Sequence, residues 1–473
     1  MKKIVSLIIV SVMLVSALTV AASAVTADEW NATKVTQVLQ FGSKVNYATD
    51  EDLEYGEYCM RGFAVSPDGK YIFAGLLNPK NCSALVMFDT HTASAAGYYV
   101  YYQPEDQQTS YPKGLDCDDR GYVYVGLAYL PNNGVARMAV LKYDEKDAQT
   151  GFLKQVSVTE VVHEDEPGKG AKVGVNGLKV KAVGSGYYAY VVINYEVDYL
   201  YRFDVTNPEA PVLDKSCGKE GRIVLGDDAF KINGEAITEG NYLDVDDDGT
   251  VYLAVTTSSK QYLAKISADG SSILQTVEQR KAYAVALWEN DVICSSQNAP
   301  NEIIVYNKLS LEKTAEFTIG EENTIIPGGA NPKRVEQDLV NSVCNLKIAA
   351  DCIWFGDQGS GQGDVEQAFV APLNATGKTF VDELTDSIAK SIAASLPADT
   401  SAVVTEAETT PEATEPETTP EATEAATTPE ATAAQTTPET EPAKKSSGCG
   451  SSVAAIAVLL PLAAAVSIRK RKE

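Results

Sequence analysis

Short apolar segments alternate with polar turns along the middle of the chain, and they recur in pairs. Six such hairpins read GFAVSPDGKYIFAGL, GLDCDDRGYVYVGL, GLKVKAVGSGYYAYVVI, YLDVDDDGTVYLAV, YAVALWENDVICSS and NLKIAADCIWFGD. The second segment of each hairpin contains hardly a polar residue, as in Tyr122 to Leu127. Strands that are apolar at consecutive positions must be covered on both faces, which predicts sheets stacked on sheets.

A third apolar segment follows every hairpin, and a fourth follows in five of the six repeats. The third segments read ALVMFD, MAVLKYD, YLYRFDV, YLAKIS, EIIVYN and EQAFVAP, and the fourth read GYYVYYQ, FLKQVSVTEVV, GRIVL, ILQTVEQ and EKTAEFTI. Repeats of four antiparallel strands that return every ~40 to 65 residues are typical of a β-propeller. The pattern therefore predicts an all-β fold, a six-bladed β-propeller over residues 28–373, with seven blades as the alternative count.

The sixth repeat lacks an outer strand of its own. The segment KVTQVLQFG, Lys34 to Gly42, precedes the first repeat and belongs to no other blade. If this segment supplies the missing strand, the two ends of the domain are joined and the last exposed sheet edge disappears. The sequence thus predicts a ring that is closed by its N-terminal strand.

The turn Ser66-Pro67-Asp68-Gly69 resembles turns of the large extracellular and periplasmic propeller families, those of the YVTN, NHL and TolB-like kinds. The resemblance covers roughly Val35 to Leu373. Because its motifs are structural, it implies a fold and no particular activity.

The segment DVDDDGT, Asp244 to Thr250, matches the opening of a calcium loop, with Asp244, Asp246 and Asp248 as candidate ligands. It also occupies the position of the hairpin turn at Ser66 in the first repeat. An EF-hand loop needs a bidentate glutamate at its twelfth position, where this chain has Val255. We therefore expect a turn and no cofactor, with calcium as the alternative.

Antiparallel order decides on which face of the ring each loop lies. We call the face where the inner strands begin the upper face, and the opposite face the lower face. The turns between first and second strands lie below and are short, whereas second-to-third loops and links between blades lie above. Long structureless insertions on a rigid scaffold are typical of a binding surface. The insertions assigned to the upper face are Ala128 to Arg137, Glu164 to Val175, Gly226 to Gly240 and Gly320 to Asn341.

Cationic and amide side chains are predicted to ring the mouth of the central channel on the upper face. Such groups in an acidic protein suggest a small anion or a sugar as the ligand. The candidate ligand-binding residues are Arg61, Lys113, Asn176, Asn241, Lys281 and Asn345.

Two functions are compatible with these residues. The first is a surface-displayed binding or adhesion module that recognises a glycan, a peptide or a neighbouring protein. The alternative is an extracellular lactonase or lyase that acts on a small molecule with a divalent metal in the channel, held by Asn176, Asn241, Asn345 and a nearby carboxylate. Because the chain has only His91 and His163 and no GxSxG, HExxH or phosphate loop, we assign no catalytic residue.

The two chain ends predict export and anchoring. Lys2 and Lys3, an apolar stretch and small residues at Ala22 and Ala24 indicate a signal peptide over residues 1–24. A helix over 379–397 carries Phe380, Leu384, Ile388 and Ile392 at four-residue steps. It is followed by a Thr/Pro/Glu-rich stalk over 398–445, a nonapeptide repeat that cannot build a core.

The last segment, residues 446–473, combines Gly448-Cys449-Gly450, an apolar run from Val453 to Ile468 and a basic end. This arrangement resembles bacterial C-terminal surface-sorting signals, although no Leu-Pro-x-Thr-Gly motif is present. The sequence leaves open whether the segment is cleaved at Gly-Cys-Gly or stays as a membrane helix. Either way it predicts a protein held at the cell surface by its C-terminus.

Charge and cysteine content limit the partners and the covalent structure. The formal net charge of −26 argues against nucleic acid, since a phosphate-binding surface needs clustered cations. We expect a monomer whose partners are a glycan, a peptide or a surface protein, and a membrane at the C-terminus. Cys344 and Cys352 would lie ~13 Å apart on neighbouring strands, too far for a disulfide. We therefore expect mostly buried thiols.

Overall fold

The computed structural model describes residues 26–31, 33–41, 59–77, 82–102, 109–130, 136–161, 173–195, 198–296, 302–319, 323–327, 343–357 and 366–395. The first elements are helix α1 (Ala27–Asn31) and strand β1 (Val35–Phe41). Within the described ranges the remaining strands form six antiparallel blades around a central channel, which confirms the predicted fold.

Each blade takes its strands in chain order from the channel outward. Blade 1 contains β2 (Cys59–Val65), β3 (Tyr71–Leu77), β4 (Cys82–Asp89) and β5 (Ser94–Tyr102). Blade 2 contains β6 (Thr109–Cys117), β7 (Tyr122–Leu130), β8 (Arg137–Lys146) and β9 (Leu153–Glu160). Blade 3 contains β10 (Val173–Val183), β11 (Gly186–Tyr195), β12 (Tyr199–Asp204) and an outer strand split into β13 (Val212–Leu213) and β14 (Arg222–Val224).

The other three blades follow the same order. Blade 4 contains β15 (Ile237–Val245), β16 (Val251–Thr257), β17 (Gln261–Ile266) and β18 (Ile273–Glu278). Blade 5 contains β19 (Ala282–Trp288), β20 (Asp291–Ser296), β21 (Glu302–Asn307) and β22 (Lys313–Thr318). Blade 6 contains β24 (Val343–Ala349), β25 (Cys352–Asp357) and β26 (Glu366–Pro372), after the short strand β23 (Thr324–Ile325).

Strand β1 completes blade 6, as the sequence predicted. It pairs antiparallel with β26, from Thr36 opposite Val370 to Phe41 opposite Glu366. The pairing includes a buried side-chain contact, in which Gln37 Nε2 donates to Gln367 Oε1 at 2.5 Å. The ring is therefore closed by hydrogen bonds between the two ends of the domain.

The described parts of two insertions assigned to the upper face pack on the blades or pair with a strand. Phe230 and Ile232, in the link from blade 3 to blade 4, are buried against strands of blade 4. Thr324 and Ile325 form β23, which pairs in parallel with the start of β1 at the outer edge of blade 6. Most of Ala128 to Arg137, Glu164 to Val175 and Gly320 to Asn341 lies outside the described residues.

A β-bulge interrupts every inner strand near its upper end. The pairing register shifts between Met60 and Gly62, Pro112 and Gly114, Val175 and Gly177, Gly240 and Leu243, Ala282 and Val285, and Val343 and Asn345. Bulges redirect side chains and increase the local twist. They set which side chains of each inner strand face the channel mouth.

Glycines after the bulges allow neighbouring inner strands to approach closely. A Cβ atom at Gly62 would lie 2.6 Å from the Lys113 carbonyl oxygen of the next blade. A Cβ atom at Gly177 would lie 2.5 Å from the Asn241 carbonyl oxygen. The recurring glycine at the start of several hairpin repeats is thus required by the narrow centre of the ring.

Side chains on the lower face join blade 2 to blade 3 and blade 3 to blade 4. Arg120 of blade 2 donates to the Val205 and Thr206 carbonyls of blade 3 at 3.0 and 2.9 Å. Arg202 of blade 3 donates to the Ala268 carbonyl of blade 4 at 2.9 Å. These contacts hold the short lower turns in place.

Helix α2 (Ala375–Ser395) follows β26 directly and lies on the lower face. Asn374 caps it, since its Oδ1 accepts from the Gly377 N–H at 2.9 Å. Val381, Leu384 and Ile388 are buried against the core of blades 6 and 1. The helix that the sequence placed at 379–397 thus begins earlier and packs on the propeller.

Substitution of Leu384 by alanine is expected to destabilise the domain by about 2–4 kcal/mol, because it leaves a cavity under a fully buried side chain. Urea unfolding followed by intrinsic fluorescence measures the change. The matched control is Glu383→Ala on the exposed face of the helix, which should change stability by less than ~0.5 kcal/mol. Equal effects of the two substitutions would show that α2 is not docked in solution.

The turn at Asp244 to Thr250 has the hairpin geometry. The Gly249 N–H donates to the Asp246 carbonyl at 3.0 Å, and Gly249 has a φ of +88°. The three aspartates have different partners: Asp244 contacts Lys179, Asp246 contacts Lys308, and Asp248 accepts from the Thr250 N–H. Their carboxylates therefore do not converge on one point.

The cysteine side chains that the structure describes are buried thiols. They are Cys117, Cys217, Cys294, Cys344 and Cys352. Burial raises the pKa of the Cys294 and Cys352 thiols to about 12. These thiols are packing residues with little tendency to ionise.

Candidate functional site

Five of the six predicted ligand-binding residues lie in the upper part of an inner strand. Arg61, Lys113, Asn176 and Asn241 are at the bulges of blades 1 to 4, and Asn345 follows the bulge of blade 6. Lys281 lies just before β19, with a φ of +58°, and its N–H donates to Gln261 Oε1 of blade 4 at 2.8 Å. The bulge of blade 5 carries Tyr283 instead.

Asn176 and Asn241 are brought together by the structure. Asn176 Nδ2 donates to the Gly240 carbonyl at 2.8 Å and lies 3.2 Å from Asn241 Oδ1. Both side chains are buried, and Asn176 Oδ1 has no hydrogen-bond partner. The pair joins blade 3 to blade 4 at the mouth of the channel.

Asn345 is the most unusual of the predicted residues. It is 1% exposed, and neither its Nδ2 nor its Oδ1 has a hydrogen-bond partner. Buried amides without partners cost about 1–3 kcal/mol per group, so they mark a position where a water or a ligand group is expected.

Tyr242 crosses the mouth of the channel. Its hydroxyl donates to the Arg61 carbonyl at 3.1 Å, which links blade 4 to blade 1 on the opposite side of the ring. Tyr283 packs beside it, with ring centroids 5.3 Å apart. These two buried tyrosines narrow the entrance of the channel. We therefore expect a ligand to contact the side chains around the mouth.

A chain of alternating charges crosses the channel below the tyrosines. Lys347 of blade 6 lies 2.9 Å from Asp116 of blade 2, and Lys179 of blade 3 contacts Asp116 at 3.6 Å and Asp244 of blade 4 at 3.2 Å. Asp244 also accepts from the Leu287 N–H of blade 5 at 2.9 Å. We call these four side chains the ionic belt; it connects five of the six blades.

Charge pairing and hydrogen bonds favour the ionised forms of two members of the ionic belt, Asp116 and Lys179. Burial alone would raise the pKa of Asp116, but Lys179, Lys347 and the Val180 N–H hold it below its ordinary value. Burial alone would lower the pKa of Lys179, but Asp116 and Asp244 raise it instead. The ionic belt pairs two lysines with two aspartates, so its formal charges balance.

Sequence reasoning missed the ionic belt as a unit. Its members are all the third residue of the inner-strand motif, as in GLDC, GLKV, YLDV and NLKI, with Ala64 and Ala286 at the same position in blades 1 and 5. Aligning the repeats at this position would have shown the alternation of Asp and Lys.

Within the described residues there is no group of three or more His, Cys, Asp or Glu side chains that could hold a metal ion.

Asp198 lies on the upper face, immediately before β12. Burial, together with the charge of Glu239, raises the pKa of its carboxyl to about 8, although the Gly240 N–H bond opposes the shift. Its Oδ1 is buried and has no partner. A carboxyl in this position is largely protonated at neutral pH.

The raised pKa of Asp198 predicts a pH-dependent stability. Folding favours the neutral form of the Asp198 carboxyl. Its contribution to the free energy of unfolding is therefore complete below the ordinary carboxyl pKa of ~4 and is lost as the pH rises towards about 8. Asp198→Asn keeps an acceptor for the Gly240 N–H and cannot ionise. The variant should therefore match the parent near pH 4.5 and be more stable near pH 8.5, as measured by urea unfolding at both values. If the difference in stability between the variant and the parent is the same at both pH values, the raised pKa of Asp198 is contradicted.

No protein-family model matches the chain, and no curated protein matches it. Among solved structures, a protein of unknown function from Bacteroides caccae is similar at 10% identity and a TM-score of 0.36, covering 59% of this chain and 79% of its own. BamB from Moraxella catarrhalis is similar at 13% identity and a TM-score of 0.34, covering 72% and 98%. The Dos1 propeller is similar at 10% identity and a TM-score of 0.39, covering 72% and 92%. Likeness at this level carries no information about ligands, and the six-bladed fold rests on the strand pairing described above.

Proposed function

We propose that the protein is a binding or adhesion module, anchored at the cell surface by its C-terminus, that presents the upper face of the propeller to a glycan, a peptide or another surface protein. The observation that carries the proposal is the position of α2. This helix leaves blade 6 on the lower face, so the stalk predicted after it begins on the side opposite the channel mouth. A tether attached there leaves the upper face free.

The construction of the channel supports recognition at the rim. Tyr242 and Tyr283 narrow the mouth, and the ionic belt crosses the channel below them. The upper face instead carries amide and cationic groups at the inner-strand bulges, among them Arg61, Lys113 and Asn345. Such groups suit an anionic or sugar-like ligand bound across the mouth.

Binding of the full chain to arrays of glycans, cell-wall fragments and surface proteins tests the proposal. Arg61→Gln and Lys281→Ala on the upper face should each weaken capture about tenfold if they hydrogen-bond the ligand. Lys70→Ala on the lower face is the matched control and should have no effect. Equal losses from both faces, or no capture by any array, would contradict the proposal. Lactone hydrolysis that appears only with calcium would favour the metal-dependent enzyme instead.

The anchoring part of the proposal rests on segments outside the described residues, namely the predicted signal at 1–24 and the segment 446–473. Within the described residues, no helix is long and apolar enough to cross a membrane. Cys449→Ala and a deletion of 446–473 separate the two anchoring routes. If Gly448-Cys449-Gly450 is a processing motif, the alanine variant should stay in the membrane fraction uncleaved. If the segment is a plain anchor, only the deletion should release the protein.

A further inference from the structure

The two ends of the propeller domain enclose a cleft that the proposed function does not use. It has a volume of about 580 Å³ and lies between α1, the start of β1, β23 and the first turns of α2. This size is within the range of ~300–1,000 Å³ that is usual for small-molecule sites. The cleft is therefore large enough for a ligand of its own.

The floor of the cleft is apolar and incompletely covered. Leu373, Val381 and Ile325 of β23 are its apolar lining residues. Ile325 is 38% exposed, which makes it one of only five exposed large hydrophobic residues among those the structure describes. An aliphatic group placed here would remove apolar surface from water.

The wall of the cleft contains a polar group without a partner. Thr36 of β1 lines the cleft, is 0% exposed, and has a hydroxyl with no hydrogen-bond partner. A buried hydroxyl is normally satisfied, because leaving it unpaired costs free energy. A ligand atom in the cleft that accepts a hydrogen bond would satisfy the Thr36 hydroxyl.

The charged residues described around the cleft leave one cation without an acid partner. Neither acid of the cleft pairs with Lys34, since Glu29 accepts from the Thr26 N–H at 2.7 Å and Asp382 pairs with Lys378 at 2.7 Å. Lys34 lines the cleft and takes part in no ion pair within the described chain. The first turn of α2 also faces the cleft at Asn374 and Ala375, where helix N–H groups and the helix dipole attract anions. A dianion would be repelled by the nearby acids.

We propose that this cleft binds a monoanionic amphipathic carboxylate. The carboxylate lies near Lys34 and the first turn of α2 and accepts from the Thr36 hydroxyl, and the aliphatic part covers Ile325, Leu373 and Val381. The source is either a free aliphatic acid or the C-terminal carboxylate of a peptide with apolar last residues. The inference goes beyond the proposed recognition at the upper face and does not depend on it.

Calorimetric titration of the full chain with hexanoate and with N-acetyl-leucyl-leucine tests the inference. Saturable binding of either acid is expected, and the tighter of the two identifies the source. Hexanol lacks the charge and hexylamine reverses it, so both should bind at least tenfold more weakly. Comparable binding of hexylamine, or no saturable binding of either acid, would overturn the inference.

Two variants locate the site. Lys34→Met removes the unpaired cation and Ile325→Ser removes the exposed apolar wall, and each should weaken acid binding about tenfold. Both residues are exposed, so the fold should be retained, which a circular dichroism melt verifies. Lys146→Met, an exposed lysine on blade 2, is the matched control and should leave the titration unchanged. A loss of binding equal to that of Lys34→Met in this control would place the ligand elsewhere.

Discussion

Replacing Lys347 by methionine is expected to destabilise the propeller by about 3 kcal/mol or more. The substitution keeps most of the side-chain volume but removes the cation that lies 2.9 Å from Asp116. Asp116 is then left buried with only the more distant Lys179, and breaking a buried ion pair on one side costs about 3–5 kcal/mol. Chemical unfolding of the parent and the variant at neutral pH measures the difference.

The control for this prediction is a lysine whose ion pair is open to solvent. Lys181 pairs with Asp247, whose carboxylate is 90% exposed, so Lys181→Met should cost less than ~1 kcal/mol. The double variant Lys347→Met with Asp116→Asn removes both charges and should recover part of the loss. The loss in the free energy of unfolding of the double variant is compared with the summed losses of the two single variants. If the double variant loses more than this sum, charge pairing is not what stabilises the ionic belt.

Deleting residues 26–41 is expected to prevent the propeller from closing, which is the largest effect that we predict. The deletion removes every hydrogen bond between β1 and β26 together with four buried apolar side chains, those of Trp30, Val35, Val38 and Leu39. At about 1.5–3 kcal/mol for each buried apolar side chain, the loss is comparable to the ~5–15 kcal/mol that stabilises a whole domain. The shortened chain should therefore be unfolded or associate through the exposed edge of β26.

Complementation provides the control for the deletion. A synthetic peptide with residues 26–41 supplies β1 in trans and should restore protease resistance and a cooperative melt. A peptide with the same composition in scrambled order should not, because the side chains would no longer match the pairing of Thr36 with Val370. A shortened chain that melts like the parent without any peptide would contradict closure by β1.

The fold was predictable because its signals repeat. Each blade gives the same order of apolar strands and polar turns, so six weak local patterns support one another. The missing fourth strand of the last repeat also predicted the role of β1. The bounds were less certain, since the helix starts at Ala375 and the third blade has a split outer strand.

The details of the channel could not be read in the same way. A bulge in every inner strand shifts the side-chain alternation, so the residue that reaches the mouth in blade 5 is Tyr283 while Lys281 stays outside the strand. The ionic belt depends on distances across the ring, which no local pattern encodes. Asp116 and Lys347 are 231 positions apart in sequence and become neighbours only when the ring is complete.

Closure by β1 also determines the order in which the domain can form. Gln37 and its partner Gln367 are separated by 330 positions, so the earliest strand to be synthesised must wait for one of the last. The strands that pair within each of the first five blades are close in sequence. Each of these blades can therefore assemble as it emerges, because closing a short loop costs little conformational entropy. We expect the annealing of β1 to be the final and slowest step of folding, and a chain that is interrupted before blade 6 to keep an open, adhesive edge.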